Sequence, residues 1–178
     1  MNEQFIEMLK EPANTLGRTE EAVAIVLADP ARIVELYECY FQPDEWVRLR
    51  ASSAFKRLWK ADVELVLPFL DGFVDDVSAI DQPSVQWTFA LMCLDLDNHL
   101  TNDQRTTCKA RLKSYLENSD DWIVQNNTIT TLGTWAKEDT ALREWVLPRL
   151  KELSESYRKS VARRAIKWLE ELTRGQAP

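Results

Sequence analysis

Apolar residues recur along this chain with the period of an α-helix, and one short pattern returns four times at near-constant spacing. It is carried by Asp44 to Trp59 (DEWVRLRASSAFKRLW), by a stretch opening at Pro83 (PSVQWTFALMCLDL), by one opening at Asp121 (DWIVQNNTITTLGTW) and by one opening at Tyr157 (YRKSVARRAIKWLEEL). A valine anchors each copy. The anchors Val47, Val85, Val124 and Val161 are separated by 38, 39 and 37 residues. From each anchor, apolar or small residues follow at offsets of four, seven, eight and eleven. They are Ala51, Ala54, Phe55 and Leu58; Phe89, Met92, Cys93 and Leu96; Thr128, Thr131, Leu132 and Trp135; and Ala165, Trp168, Leu169 and Leu172. At about 100° per residue these offsets share one helical face, so each copy predicts a helix with a single core-facing stripe.

The segments between the copies read as partner helices. Two of them contain the string VLPxL, at Val66 to Leu70 and Val146 to Leu150, and each proline marks a helix start or a bend. Thr101 with Gln104 forms a capping box opening another partner helix. Asp29-Pro30 reads as a cap followed by proline at the first helical position. Residues 1–29 do not follow the template. They predict two short helices, around Glu3 to Lys10 and Glu20 to Ala28, forming an N-terminal helical cap that shields the first repeat. The repeats then occupy residues 30–178, with the whole chain, 1–178, as one domain.

The strings V-R-x-x-A-x-x-A-F at Val47 to Phe55 and V-x7-L-G at Val124 to Gly133 resemble the second helix of HEAT repeats. The resemblance covers about residues 30 to 172 and implies an all-α fold, an α-α superhelix: a right-handed HEAT-like (armadillo-type) solenoid of about four helical pairs. The basic residue that follows the anchor in such repeats is present as Arg48, whereas Gln86, Gln125 and Ala162 stand at the other three positions. HEAT motifs are degenerate, so the likeness speaks to fold and not to activity.

Composition narrows the function classes. With 45% hydrophobic and 29% charged residues over 178 positions, the chain is ordinary globular sequence. The formal net charge of -7 works against non-specific attraction to nucleic acid or anionic membrane. Cys39, Cys93 and Cys108 are odd in number and show no paired spacing, which suits reduced, buried thiols in a cytoplasmic protein. The N-terminus lacks a signal-peptide pattern, and no segment approaches the roughly 18 apolar residues of a spanning helix, so no membrane association is expected. His99 is the only histidine. A His-based triad or multi-histidine metal site is therefore unavailable, and Asp95, Asp97, Asn98 and His99 match no known ligand loop. Asp71, Asp75 and Asp76 read as a polar helix end. Glycine-rich phosphate loops, GxSxG and HExxH are absent, so a non-enzymatic protein without cofactor or metal is expected.

What remains is surface. Offsets two, six and nine from each anchor point away from the core stripe, toward what is usually the concave face of a solenoid. The partner-binding candidates are Leu49, Trp87, Leu91, Leu94, Asn126, Asn127 and Thr130. The second copy is apolar nearly all round, so Trp87, Leu91 and Leu94 require a cover: the monomer's own curvature, the N-terminal arm, another copy of the chain in a homodimer, or a partner. Arg48, Arg50 and Arg57 in the first copy and Arg163, Arg164 and Lys167 in the fourth form a candidate basic surface. The expected function is a protein-interaction module holding a protein or peptide on its concave surface. The alternative is nucleic-acid binding or repair, because Trp46-Val47-Arg48 and Arg163 to Trp168 are similar to strings in HEAT-like alkylation-repair glycosylases. That family holds damaged DNA on a basic surface with aromatic side chains. Its catalytic aspartate has no matching position here.

Overall fold

Residues 3–10 and 17–174 are described by a computed structural model. They are mostly helical, with no strand among the described residues. The described residues form ten α-helices: α1 (Glu3–Lys10), α2 (Thr19–Ala28), α3 (Ile33–Tyr37), α4 (Glu45–Ala61), α5 (Leu70–Asp75), α6 (Pro83–Asp95), α7 (Asn102–Asn118), α8 (Trp122–Trp135), α9 (Thr140–Ser154) and α10 (Lys159–Thr173). Short 3-10 turns fill most of the connections in the first half. Among the described residues, no helix is long and apolar enough to cross a membrane. The chain divides into two compact units, Met1–Phe89 and Ala90–Pro178, and the division falls inside α6.

The four repeated segments are α4, α6, α8 and α10. Their anchor valines are buried, as are all the offset positions except Leu169, which is half-buried. The helix starts explain why the register is so regular. Asp44 Oδ1 accepts the backbone N–H groups of Trp46 (2.8 Å) and Val47 (3.2 Å), and Asp121 Oδ1 accepts those of Ile123 (2.8 Å) and Val124 (3.0 Å). In both copies the cap holds the anchor's own amide, so the residue that starts the helix also fixes where its core stripe begins. Thr101 and Gln104 form the expected capping box, with bonds of 2.8 and 3.2 Å. Asp29 is different. Its side chain makes no capping bond, because Pro30 opens a 3-10 turn, Pro30–Arg32, instead of an α-helix. Pro68 sits in a 3-10 turn just ahead of α5, whereas α9 runs through Pro148.

In the first unit, α1 and α2 pack against α4. The core there is an aromatic cluster centred on Tyr37, whose ring lies 5.0–6.3 Å from those of Tyr40, Phe41, Phe55, Phe69 and Phe73. Gly72 leaves room for the Tyr37 hydroxyl, which a Cβ there would strike. Desolvation in this cluster, with nearby acidic groups adding to it, pushes the Tyr37 phenol up to about 12.

In the second unit, α8 packs against α7, α9 and α10, and α9 packs along α10. Gly133 lets the Trp168 indole of α10 lie directly on the α8 backbone, so closely that a Cβ would collide with the ring. Two threonines share the core stripe of α8. The Thr131 hydroxyl donates to Ala90 O at 2.8 Å. The Thr128 hydroxyl is buried with no hydrogen-bond partner among the described residues.

These two positions predict opposite outcomes. Gly133→Ala gains helix propensity but overpacks against Trp168, and chemical denaturation should show a net loss of about 1–3 kcal/mol. Thr128→Val removes an unpartnered buried hydroxyl at nearly constant volume and should be neutral or stabilising by up to about 1 kcal/mol.

Candidate functional site

Of the outward residues on α4, two are committed to the protein's own structure. Arg48 Nε donates to Gln82 Oε1 and Arg48 Nη1 donates to Gln42 O, both at 2.5 Å. Gln82 is itself buried, and its amide donates to Glu45 O (2.9 Å) and Ser84 Oγ (2.5 Å). Arg48 therefore ties the entry of α4 to the entry of α6. Arg50 corrects the expectation of a basic surface, being only 3% exposed. Its Nη1 donates to Leu9 O at the end of α1 (2.5 Å), and its guanidinium lies 5.6 Å from the Trp46 ring. Arg57, partly exposed, turns back on Ser53 within α4. Leu49 is half-buried.

On α6, Trp87 of the first unit and Leu91 and Leu94 of the second are each half-buried. On α8, Asn126 is a second correction: it is 7% exposed because α10 covers it, and its Nδ2 donates to Ser160 Oγ at 3.4 Å. One turn on, Thr130 donates to Asn126 O (2.8 Å) and accepts from Arg164 Nη1 (3.2 Å). The pairs Asn126–Ser160 and Thr130–Arg164 have the same sequence separation of 34 residues. A constant separation means that α8 and α10 run parallel and in register. Asn127 is partly exposed, and Arg163, Arg164 and Lys167 are exposed on α10.

Trp122 is the first residue of α8, and Tyr157 lies two residues ahead of α10, so each stands at the entry of one of these two helices. Trp122 is 48% and Tyr157 84% exposed. Arg158 joins them. Its Nε donates to the Tyr157 oxygen at 2.9 Å and its guanidinium lies 5.4 Å from that ring. The hydrogen bond to Tyr157 raises the Arg158 pKa most, and the carboxylates Asp120 and Asp121 at the entry of α8 add to it. The entries of α8 and α10 thus form one edge of two exposed aromatic side chains around an arginine. Both aromatics fall outside the offsets used to find outward residues. The same wheel extended backward puts Trp122, at offset minus two, about 130° from the centre of the core stripe.

The opposite end of α8 carries a polar cleft of about 370 Å³, walled by α7, the last turn of α8 and the turn into α9. Asn102, Arg105 and Lys109 line the α7 side; Trp135 and Glu138 line the other. Arg105 Nη2 pairs with Asp97 Oδ1 at 2.7 Å, and Lys109 Nζ with Asp139 Oδ2 at 2.6 Å. The ion pair places Asp97 in this wall rather than in a loop cluster with His99, which is exposed. Cys93 and Cys108 are also brought together in the core of this unit, where burial first and the neighbouring Cys108 thiol second push the Cys93 thiol well above its ordinary range. Among the described residues, no group of three or more His, Cys, Asp or Glu side chains is placed to hold a metal ion.

No protein-family model, no curated protein and no solved structure matches this chain.

Asp139 supplies a pH test of the cleft wall. The hydrogen bond from Lys109 first, then that from the Leu142 amide, hold its carboxyl below the usual value, against a desolvation effect that raises it. A depressed folded-state pKa stabilises above the unfolded value, about 3.9, and the contribution fades as pH falls through the folded value. Asp139→Asn should be less stable than the wild type at pH 7, and the two melting temperatures should converge below about pH 4.

Proposed function

We propose that this chain is a HEAT-like helical-repeat module of the α-α superhelix type, and that it binds a protein or peptide partner. The observation that carries the partner reading is the aromatic edge at the entries of α8 and α10. Trp122 and Tyr157 keep large fractions of their side chains in water. Aromatic residues beside an arginine are what interface hot spots are made of, and exposing them has a cost that a partner would relieve. The occupant that fits is an extended peptide offering an apolar side chain to Trp122 and Tyr157 and main-chain carbonyls to Arg158. The repeat reading is supported by the capped, valine-anchored helices α4 and α8 and by the constant separation of the bonds between α8 and α10.

Nucleic-acid binding is less well supported. Arg48 and Arg50 are spent on internal carbonyl and amide acceptors, which leaves Arg163, Arg164 and Lys167 as the exposed part of the proposed basic surface. The cysteines are free, buried thiols, and that suits the proposed reducing, cytoplasmic setting.

A displayed peptide library selected on the wild-type protein should enrich a sequence class with an apolar centre. Trp122→Ala should weaken the best such peptide by at least about tenfold with an unchanged melting temperature. No enrichment over a scrambled library, or instead salt-sensitive binding to duplex DNA, would overturn the reading.

A further inference from the structure

The charge pattern of the cleft at the far end of α8 selects a ligand class. Asn102, Arg105 and Lys109 are spaced three and four residues apart, so α7 presents all three on one face. Each cation is partly used. Arg105 meets Asp97 through Nη2 alone, donating to its backbone oxygen at 3.2 Å and pairing with its carboxylate at 2.7 Å, while the guanidinium lies 5.7 Å from the Trp135 ring. Its Nε–H and Nη1–H groups have no partner among the described residues. Lys109 gives one N–H to Asp139, and Asp139 also caps α9 through Leu142 N at 2.9 Å. The α7 wall therefore holds spare donors but no spare positive charge.

The facing wall is the reverse. Glu138 lines the cleft, is exposed, and makes no ion pair among the described residues. It is the one carboxylate of the lining that lacks a cation of its own. A simple anion would find donors but add charge to a lining already one carboxylate in excess. A simple cation would satisfy Glu138 and leave the donors of Arg105 and Lys109 unused. A dipolar molecule meets both walls.

We infer that this cleft binds a compact dipolar ligand of the free α-amino acid class, with its carboxylate on the spare N–H groups of Arg105 and Lys109 and its ammonium on Glu138. The volume agrees, since about 370 Å³ lies at the small end of ligand pockets and suits a molecule of amino-acid size. Arg105, stacked on Trp135 and paired to Asp97, is held in place before the ligand arrives, which reduces the ordering cost of binding.

Isothermal titration of the full chain with glycine, aspartate, glutamate, lysine and arginine tests this, with sodium acetate and ethylammonium chloride as the two half-ligands. At least one amino acid should bind saturably, at least about tenfold more tightly than either half-ligand. Glu138→Gln, a change at an exposed position, should weaken that binding by at least about tenfold while leaving the melting temperature unchanged. The inference is overturned if no amino acid binds saturably up to about 10 mM, if ethylammonium or acetate binds as tightly, or if Glu138→Gln binds like the wild type. Peptide capture at Trp122 is read out separately, so failure here leaves the partner reading untouched, and the converse holds.

Discussion

The second unit depends on the close approach of α8 and α10. Gly133 removes the side chain that would hold them apart, and Trp168 fills the space against the α8 backbone. Once that contact is made, the remaining bonds fall into one register: Asn126 to Ser160 and Thr130 to Arg164, both 34 residues apart. The register in turn sets the entry of α8, which carries Trp122, alongside the entry of α10, just ahead of which Tyr157 lies. Packing at one end of the pair thus decides what is displayed at the other. The polar residues of the α8 core stripe, Thr128 and Thr131, lie on the opposite face of the helix from Gly133. Thr131 recovers its desolvation cost through Ala90 O, and Thr128 does not.

The core stripes of the four repeated helices were legible in the sequence because two signals agreed. A valine repeated at near-constant spacing gave the period, and an aspartate three residues before Val47 and Val124 gave the start. Helix periodicity converts such a start into a face with no further information. What failed was the assumption that each helix has one covered side. Asn126 lies nearly opposite the core stripe, yet α10 covers it through Ser160. Arg50 lies about 90° from the stripe, where α1 reaches α4 and offers Leu9 O. A wheel drawn for one neighbour cannot show a second neighbour, and α4 and α8 each have several.

The candidate sites were illegible in proportion to how many elements build them. Trp122 needed only the wheel carried back across the anchor. Its place beside the entry of α10 needed the α8–α10 register, which rests on side-chain bonds that periodicity does not encode. The cleft needed more. Its α7 wall is visible as a spacing of three and four, but Glu138 and Asp139 lie in the turn between α8 and α9. Their placement follows from how α8 ends and α9 is capped, and the sequence marks that turn with no motif. The ion pairs of Arg105 and Lys109 were hidden for the same reason, since Lys109 and Asp139 are 30 residues apart.

The aromatic edge and the cleft share one helix, and the packing of that helix argues that they act independently. A helix of 14 residues spans about 20 Å, so the two sites are well separated along α8. Coupling between them would require α8 to have a second position to which either ligand could shift it. Gly133 leaves no slack under Trp168, and Thr131 is bonded to Ala90 at mid-helix, so sliding or turning α8 would break the tightest contact in the unit. Of the α8 core stripe only Trp135 lines the cleft, and neither site includes the Gly133–Trp168 contact or the Thr131 bond. Each therefore lacks the differential contact with two states that allostery needs, and occupancy of the cleft should leave the affinity of the aromatic edge unchanged.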